Sequence, residues 1–126
     1  MKKIISTKNA PAAIGPYSQA IEVGDLLFCS GQIAIDPATS QVLTGDIKTQ
    51  TEQVMKNIDG VLQAAGLSFQ NIVKSTIFLT SMNDFATVNE IYGKYFPENP
   101  PARSTVAVSG LPKGVNVEIE VIASKK

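Results

Sequence analysis

Apolar residues recur along this chain with two periods, and the periods divide it into eight elements. Ile47, Thr51, Val54, Met55, Ile58, Val61, Leu62 and Ala65 stand three or four apart and form one stripe on an α-helix. Asp46 suits its N-cap and Gly66 its stop. Phe85, Val88, Tyr92, Tyr95 and Phe96 predict a second amphipathic helix that ends at Pro97. Residues 72–79 are β-branched and aromatic and read as a buried strand. Short strands are expected at 3–6, 17–23 and 26–30, the last two joined through Gly24-Asp25 as a hairpin. Two more are expected at 104–108 and 115–123, separated by the turn-rich Ser109-Gly110-Leu111-Pro112-Lys113-Gly114. Residues 7–16 read as a loop, and residues 36–45 as an exposed turn-rich segment.

The order is βββ-α-β-α-ββ. It predicts an α+β domain, one mixed β-sheet with two helices packed on one face. A chain of 126 residues affords one core, so residues 1–126 are expected to form a single domain. Nothing remains to cover the second face of the sheet. Packing that face against other copies of the chain is the natural solution, and a symmetric homo-oligomer is expected.

Composition removes whole classes of chemistry. There is no histidine, which excludes Ser-His-Asp and Cys-His catalysis and any Cys/His zinc site. The one cysteine, Cys29, cannot form an internal disulfide and reads as a small core residue. No clustered Asp/Glu loop suggests a metal, and no cofactor is expected. Eleven basic residues balance eleven acidic ones, so no net field draws in nucleic acid or an anionic membrane. No secretory leader or membrane span is seen, and a cytoplasmic protein is expected.

Chemistry is best sought on the last two strands. Along residues 115–123, Val115, Val117, Ile119 and Val121 point one way and Asn116, Glu118, Glu120 and Ile122 the other. Arg103, Thr105 and Ala107 share one face of the preceding strand. If the connector closes a hairpin, Thr105 falls near Glu118 and Arg103 near Glu120. An arginine fork suits a substrate carboxylate, and a neighbouring glutamate suits the aiming or deprotonation of water. The same arrangement is equally an ordinary cross-strand ion pair of small value.

Several segments carry a family resemblance. Asn9-Ala10-Pro11-Ala12-Ala13-Ile14-Gly15-Pro16-Tyr17-Ser18-Gln19-Ala20 resembles the N-terminal signature of the RidA/YjgF family. Ser30-Gly31-Gln32-Ile33, Asn83-Asp84-Phe85-Ala86-Thr87-Val88-Asn89 and Pro101-Ala102-Arg103-Ser104 resemble its later motifs, and Val117-Glu118-Ile119-Glu120-Val121-Ile122-Ala123 its closing one. Together they span nearly the whole chain in the right order.

The resemblance implies a chorismate-mutase-like fold, a homotrimer with intersubunit clefts, and hydrolysis of 2-iminobutanoate and 2-iminopropanoate to 2-keto acids and ammonia without a bound cofactor. Arg103 matches the residue that holds the substrate carboxylate, and Glu118 the residue that holds the attacking water. Tyr17, Ser30-Gly31 and Asn89 match residues lining the cleft. Thr105 matches a position where many members carry cysteine, and its backbone groups would meet the imine. The resemblance also allows a non-catalytic small-acid-binding regulator or a translation-inhibiting ribonuclease on the same fold.

Overall fold

The computed structural model describes every residue from Met1 to Lys126. The strands are β1 (Lys3–Ile5), β2 (Ala20–Val23), β3 (Leu26–Gln32), β4 (Ile72–Leu79), β5 (Ala102–Ala107) and β6 (Val117–Ser124); the helices are α1 (Ile47–Ala64) and α2 (Phe85–Gly93). All six strands form one sheet in the order β1-β2-β3-β6-β4-β5. The α+β class and the element order expected from the pattern are thus what the chain adopts.

Local signals explain the element ends. Asp46 accepts a hydrogen bond from the Thr49 amide at 2.7 Å, which also holds its carboxyl below the usual range. Gly66 has φ +75°, and the amides of Gly66 and Leu67 reach back to the Gln63 and Leu62 carbonyls at 2.9 Å each. That geometry satisfies the last carbonyls of α1 and needs a left-handed residue. Several strand ends shift by one or two residues, and two ends depart further. α2 stops at Gly93, so Tyr95 and Phe96 lie beyond it and pack with Phe69. β2 begins at Ala20 because the carboxamide of Gln19 bonds to the preceding loop.

The core lies between the helices and one face of the sheet. Val54, Met55, Ile58, Val61 and Leu62 of α1 pack with Leu27, Ile77, Leu79, Val117, Ile119 and Val121. Each such side chain contributes about 1.5–3 kcal/mol on burial. The opposite face carries Ile21, Phe28 and Ile122 in one cross-strand row and Glu118, Phe78 and Val106 in another. Phe28 and Val106 are 43% and 44% exposed. Exposed apolar side chains grouped on one sheet face are what partner-seeking surfaces present. No helix is long and apolar enough to cross a membrane.

One expectation is overturned. The last two strands do not form a hairpin. β4 lies between them, parallel to β5 and antiparallel to β6. The connector instead carries the chain past β4. It contains a single 3-10 turn at Pro112–Gly114, with Lys113 and Gly114 both at positive φ.

Candidate active site

The pairing decides where each candidate residue points. Arg103 is level with Ser75 of β4, and Ser75 with Val121 of β6. Ser75 and Val121 are buried beneath the helices, so Arg103 and, two positions on, Thr105 belong to the helix-covered side. Glu118 is level with Phe78, and Glu120 with Thr76, on the open side. Arg103 and Glu118 are therefore two strands apart, offset by three residues along the sheet, and on opposite faces. The proposed convergence of Arg103 and Thr105 on Glu118 and Glu120 within one chain does not occur. Alternation along a strand fixes which residues share a face, but not which strand lies alongside.

What forms instead is two separate clusters, each a candidate half of a site. The first is a cavity of about 610 Å³ on the open side, into which Tyr17, Ser30, Gly31, Glu118 and Glu120 all face. β3 is irregular between Cys29 and Gln32, and this bulge brings Gly31 against the end of Glu118. A Cβ at Gly31 would overlap Glu118 Oε2, so only glycine lets the carboxylate lie flat on the backbone. Burial first, and then the charge of Glu120, push the Glu118 carboxyl up from its ordinary value. Ser30 is fixed at both ends: its hydroxyl donates to the Ser18 carbonyl at 2.6 Å, and its amide donates to the Gln19 carbonyl at 2.9 Å.

The lip of this cavity is the loop before β2. Gln19 is buried, and its Nε2 donates to the carbonyls of Thr7, Ala10 and Pro11 at 3.0, 3.2 and 2.7 Å. Its Oε1 accepts from the Thr7 amide at 2.7 Å. The loop backbone at Asn9 also packs directly on Gly60 of α1, where any side chain would strike it. The outer part of the loop, with Ile14 and Tyr17, stays exposed. Gln19 and Lys113, which lines the same cavity, were not singled out from sequence. A glutamine at a loop-strand junction carries no signal of its own until the carbonyls it serves are known.

The second half-site lies on the edge strand β5. Arg103 Nη1 donates to Asn89 Oδ1 at 2.7 Å. Its guanidinium carbon is 5.5 Å from the Phe85 ring centre and 5.2 Å from that of Tyr92. Asn89 thus contacts Arg103 across the helix-strand seam. Thr105 Oγ1 is the one buried side-chain polar atom without a hydrogen-bond partner. Cys29 is buried in β3 and its thiol is pushed up to about 12. It is a core residue and a poor nucleophile at neutral pH.

Comparison with known proteins bears on what these half-sites do. Residues 7–125 match the family model described as Endoribonuclease L-PSP. A RutC family protein of Pyrococcus horikoshii is 56% identical over the full length of both chains. The 2-iminobutanoate/2-iminopropanoate deaminase of Mus musculus is 50% identical over 98% of this chain and 91% of its own. Among solved structures, E. coli TdcF with bound serine superposes with a TM-score of 0.94 at 44% identity, covering 98% of this chain and 99% of that one. The E. coli YjgF gene product gives 0.94 at 46% identity with the same coverage.

Proposed function

Since this chain belongs to the Endoribonuclease L-PSP family, the RidA/YjgF proteins, we propose that it is a deaminase hydrolysing reactive 2-imino acids and their 2-enamino tautomers to 2-keto acids and ammonia. The observation that carries the reading is the half-buried Glu118 carboxylate, held against the bare backbone of Gly31 at the wall of a cavity. The mammalian relatives named for this reaction, at about half identity across nearly the whole chain, support it.

The chemistry needs two functions. Arg103 grips the substrate carboxylate in a charge-assisted, two-point contact. Glu118 accepts a proton from water as its oxygen attacks the imine carbon. Glu118 returns that proton to the nitrogen to complete a carbinolamine, whose hydroxyl proton then passes to the amino group as ammonia leaves and the keto acid remains. A glutamate whose pKa is raised toward neutrality accepts a proton more readily than an ordinary one. The imine carbon is already electrophilic, so modest acceleration suffices. Thr105 offers its backbone to the imine, while Tyr17, Ser30, Gly31 and Asn89 shape the cleft.

Because the two half-sites face away from each other in one chain, the complete site lies between copies. The exposed edge strand β5 of one copy meets the open sheet face of the next. A contact between two different surfaces repeats head to tail and closes as a ring, which fits the proposed homotrimer and hides the apolar face. The experiment is to generate 2-aminoacrylate in situ with a dehydratase and follow keto-acid release. Acceleration over buffer is expected; none would remove the deaminase reading.

The serine-bound relative favours a second reading, in which the same cleft binds small amino or keto acids without turnover. Tight binding of a keto acid by a protein that hydrolyses nothing would select it. A ribonuclease is disfavoured by composition, since a chain with no histidine and no net positive charge is poorly equipped to hold a phosphate backbone.

A further inference from the structure

Arg103 is the only arginine in the chain, and it stands on an edge strand where a long side chain ordinarily sweeps through many rotamers. Here it does not stand alone. Phe85, Asn89 and Tyr92 occupy positions i, i+4 and i+7 of α2 and share one face of that helix. Phe85 and Tyr92 are about 10 Å apart along the helix axis. The guanidinium carbon is 5.5 Å from one ring centre and 5.2 Å from the other, so it is nearly equidistant from the two rings. Asn89, one turn from Phe85, receives Nη1 at 2.7 Å. Tyr92 is tied down in turn: its hydroxyl meets Ser75 Oγ at 2.9 Å in the buried interior, and Ser75 is level with Arg103 across the β4–β5 pairing.

We propose that α2 is a cradle for Arg103, in which Phe85 and Tyr92 are positioning residues that set the plane of the guanidinium and Asn89 holds one of its nitrogens. The fork left over is then presented to a ligand carboxylate in one orientation. The role of the ligand rests on the deaminase reading above; the cradle stands on the geometry alone. Ring faces attract the cation without neutralising it. An asparagine oxygen accepts Nη1 and leaves the positive charge free for the ligand, which an aspartate in its place would not do. Ordering the side chain in advance removes a cost that binding would otherwise carry.

A lone arginine makes the test direct. In protein labelled with 15N-arginine, the Nε–Hε group gives one side-chain signal that needs no assignment. The wild-type signal should be shifted from that of free arginine, slow to exchange with water, and hindered in rotation. Asn89→Ala and Tyr92→Leu should return it to the free, averaged form. Tyr92→Phe keeps the ring and should keep the hindered signal. It should nonetheless lower Tm, because Ser75 loses its partner. In turnover assays, Asn89→Ala should raise KM about tenfold with kcat little changed and Tm almost unmoved, while Tyr92→Phe should lower Tm with little effect on KM. Asn89→Asp should keep the signal hindered yet raise KM. A wild-type signal already averaged, or KM following Tm across the series, would overturn the cradle. Asn89 is exposed, so its variants remain informative if Tyr92→Leu does not fold. Hindered rotation lost in the variants of a protein that hydrolyses no imino acid would sustain the cradle and remove the deaminase.

Discussion

Arg103 and Glu118 are each held by their surroundings, but by different means. Arg103 is on an edge strand, gripped from one side by three residues of a single helix. Glu118 is on an interior strand, set against a bulge in β3 and raised in pKa by burial and Glu120. The first arrangement holds a cation in place while leaving it accessible. The second partly desolvates an anion, which makes it a better proton acceptor at the cost of stability. The contrast shows how one small sheet supplies two opposite electrostatic environments: it uses both faces, which the proposed intersubunit site would bring together.

Mixing experiments give the sharpest break of that comparison. Arg103→Ala and Glu118→Gln should each lower kcat/KM by about a hundredfold or more. If the halves of a site come from different copies, mixed oligomers of the two variants should regain about a quarter of wild-type activity, since that share of sites pairs intact halves at random. No recovery in verified hetero-oligomers would place both halves within one chain.

Gly31→Ala tests the carboxylate side alone. The added methyl meets only the end of a flexible glutamate, so Tm should barely move. The displaced Glu118 should still lower turnover about tenfold or more, because misplacement of about 1 Å at a reacting group is costly. Unchanged kinetics would dissociate Gly31 from the chemistry.

The pH profile comes next in size. Turnover should fall as pH drops through the raised Glu118 value, and Glu120→Gln, which removes the second cause of the rise, should move that limb to lower pH. Stability runs the other way. The folded chain binds the Glu118 proton more tightly than the unfolded one, so stability falls as pH rises from the ordinary glutamate value to the raised one and is flat above it. Glu118→Gln should therefore be slightly more stable than wild type near neutral pH while turning over more slowly; thermal melts across pH would show it.

Thr105→Val on the arginine side is the smallest effect. The buried hydroxyl has no partner, so an isosteric methyl should add about 1 kcal/mol. A loss of stability would mean that the hydroxyl is satisfied, and a gain without loss of activity would confine the role of Thr105 to its backbone.

Much of this was legible in the sequence. The eight elements, the α1 cap at Asp46 and stop at Gly66, and the core placement of Cys29 all follow from periodicity or from side-chain chemistry. These are local properties, decided within a turn of helix or a pair of strand positions. The motifs from Asn9 to Ala123 pointed to the family, and the comparisons bear that out.

What the sequence could not decide was neighbourhood. That Arg103 and Thr105 share a face, and that Glu118 and Glu120 share one, is written in alternation. Which faces these are depends on β4 entering between β5 and β6, a pairing between segments dozens of residues apart. Parallel pairing of β4 with β5 across α2 turned Arg103 toward the helix and away from the glutamates. The same contacts fixed the partners of Gln19, Asn89 and Tyr92. Hydrogen-bond partners and packed rings are settled when distant segments meet, and only the folded chain brings them together.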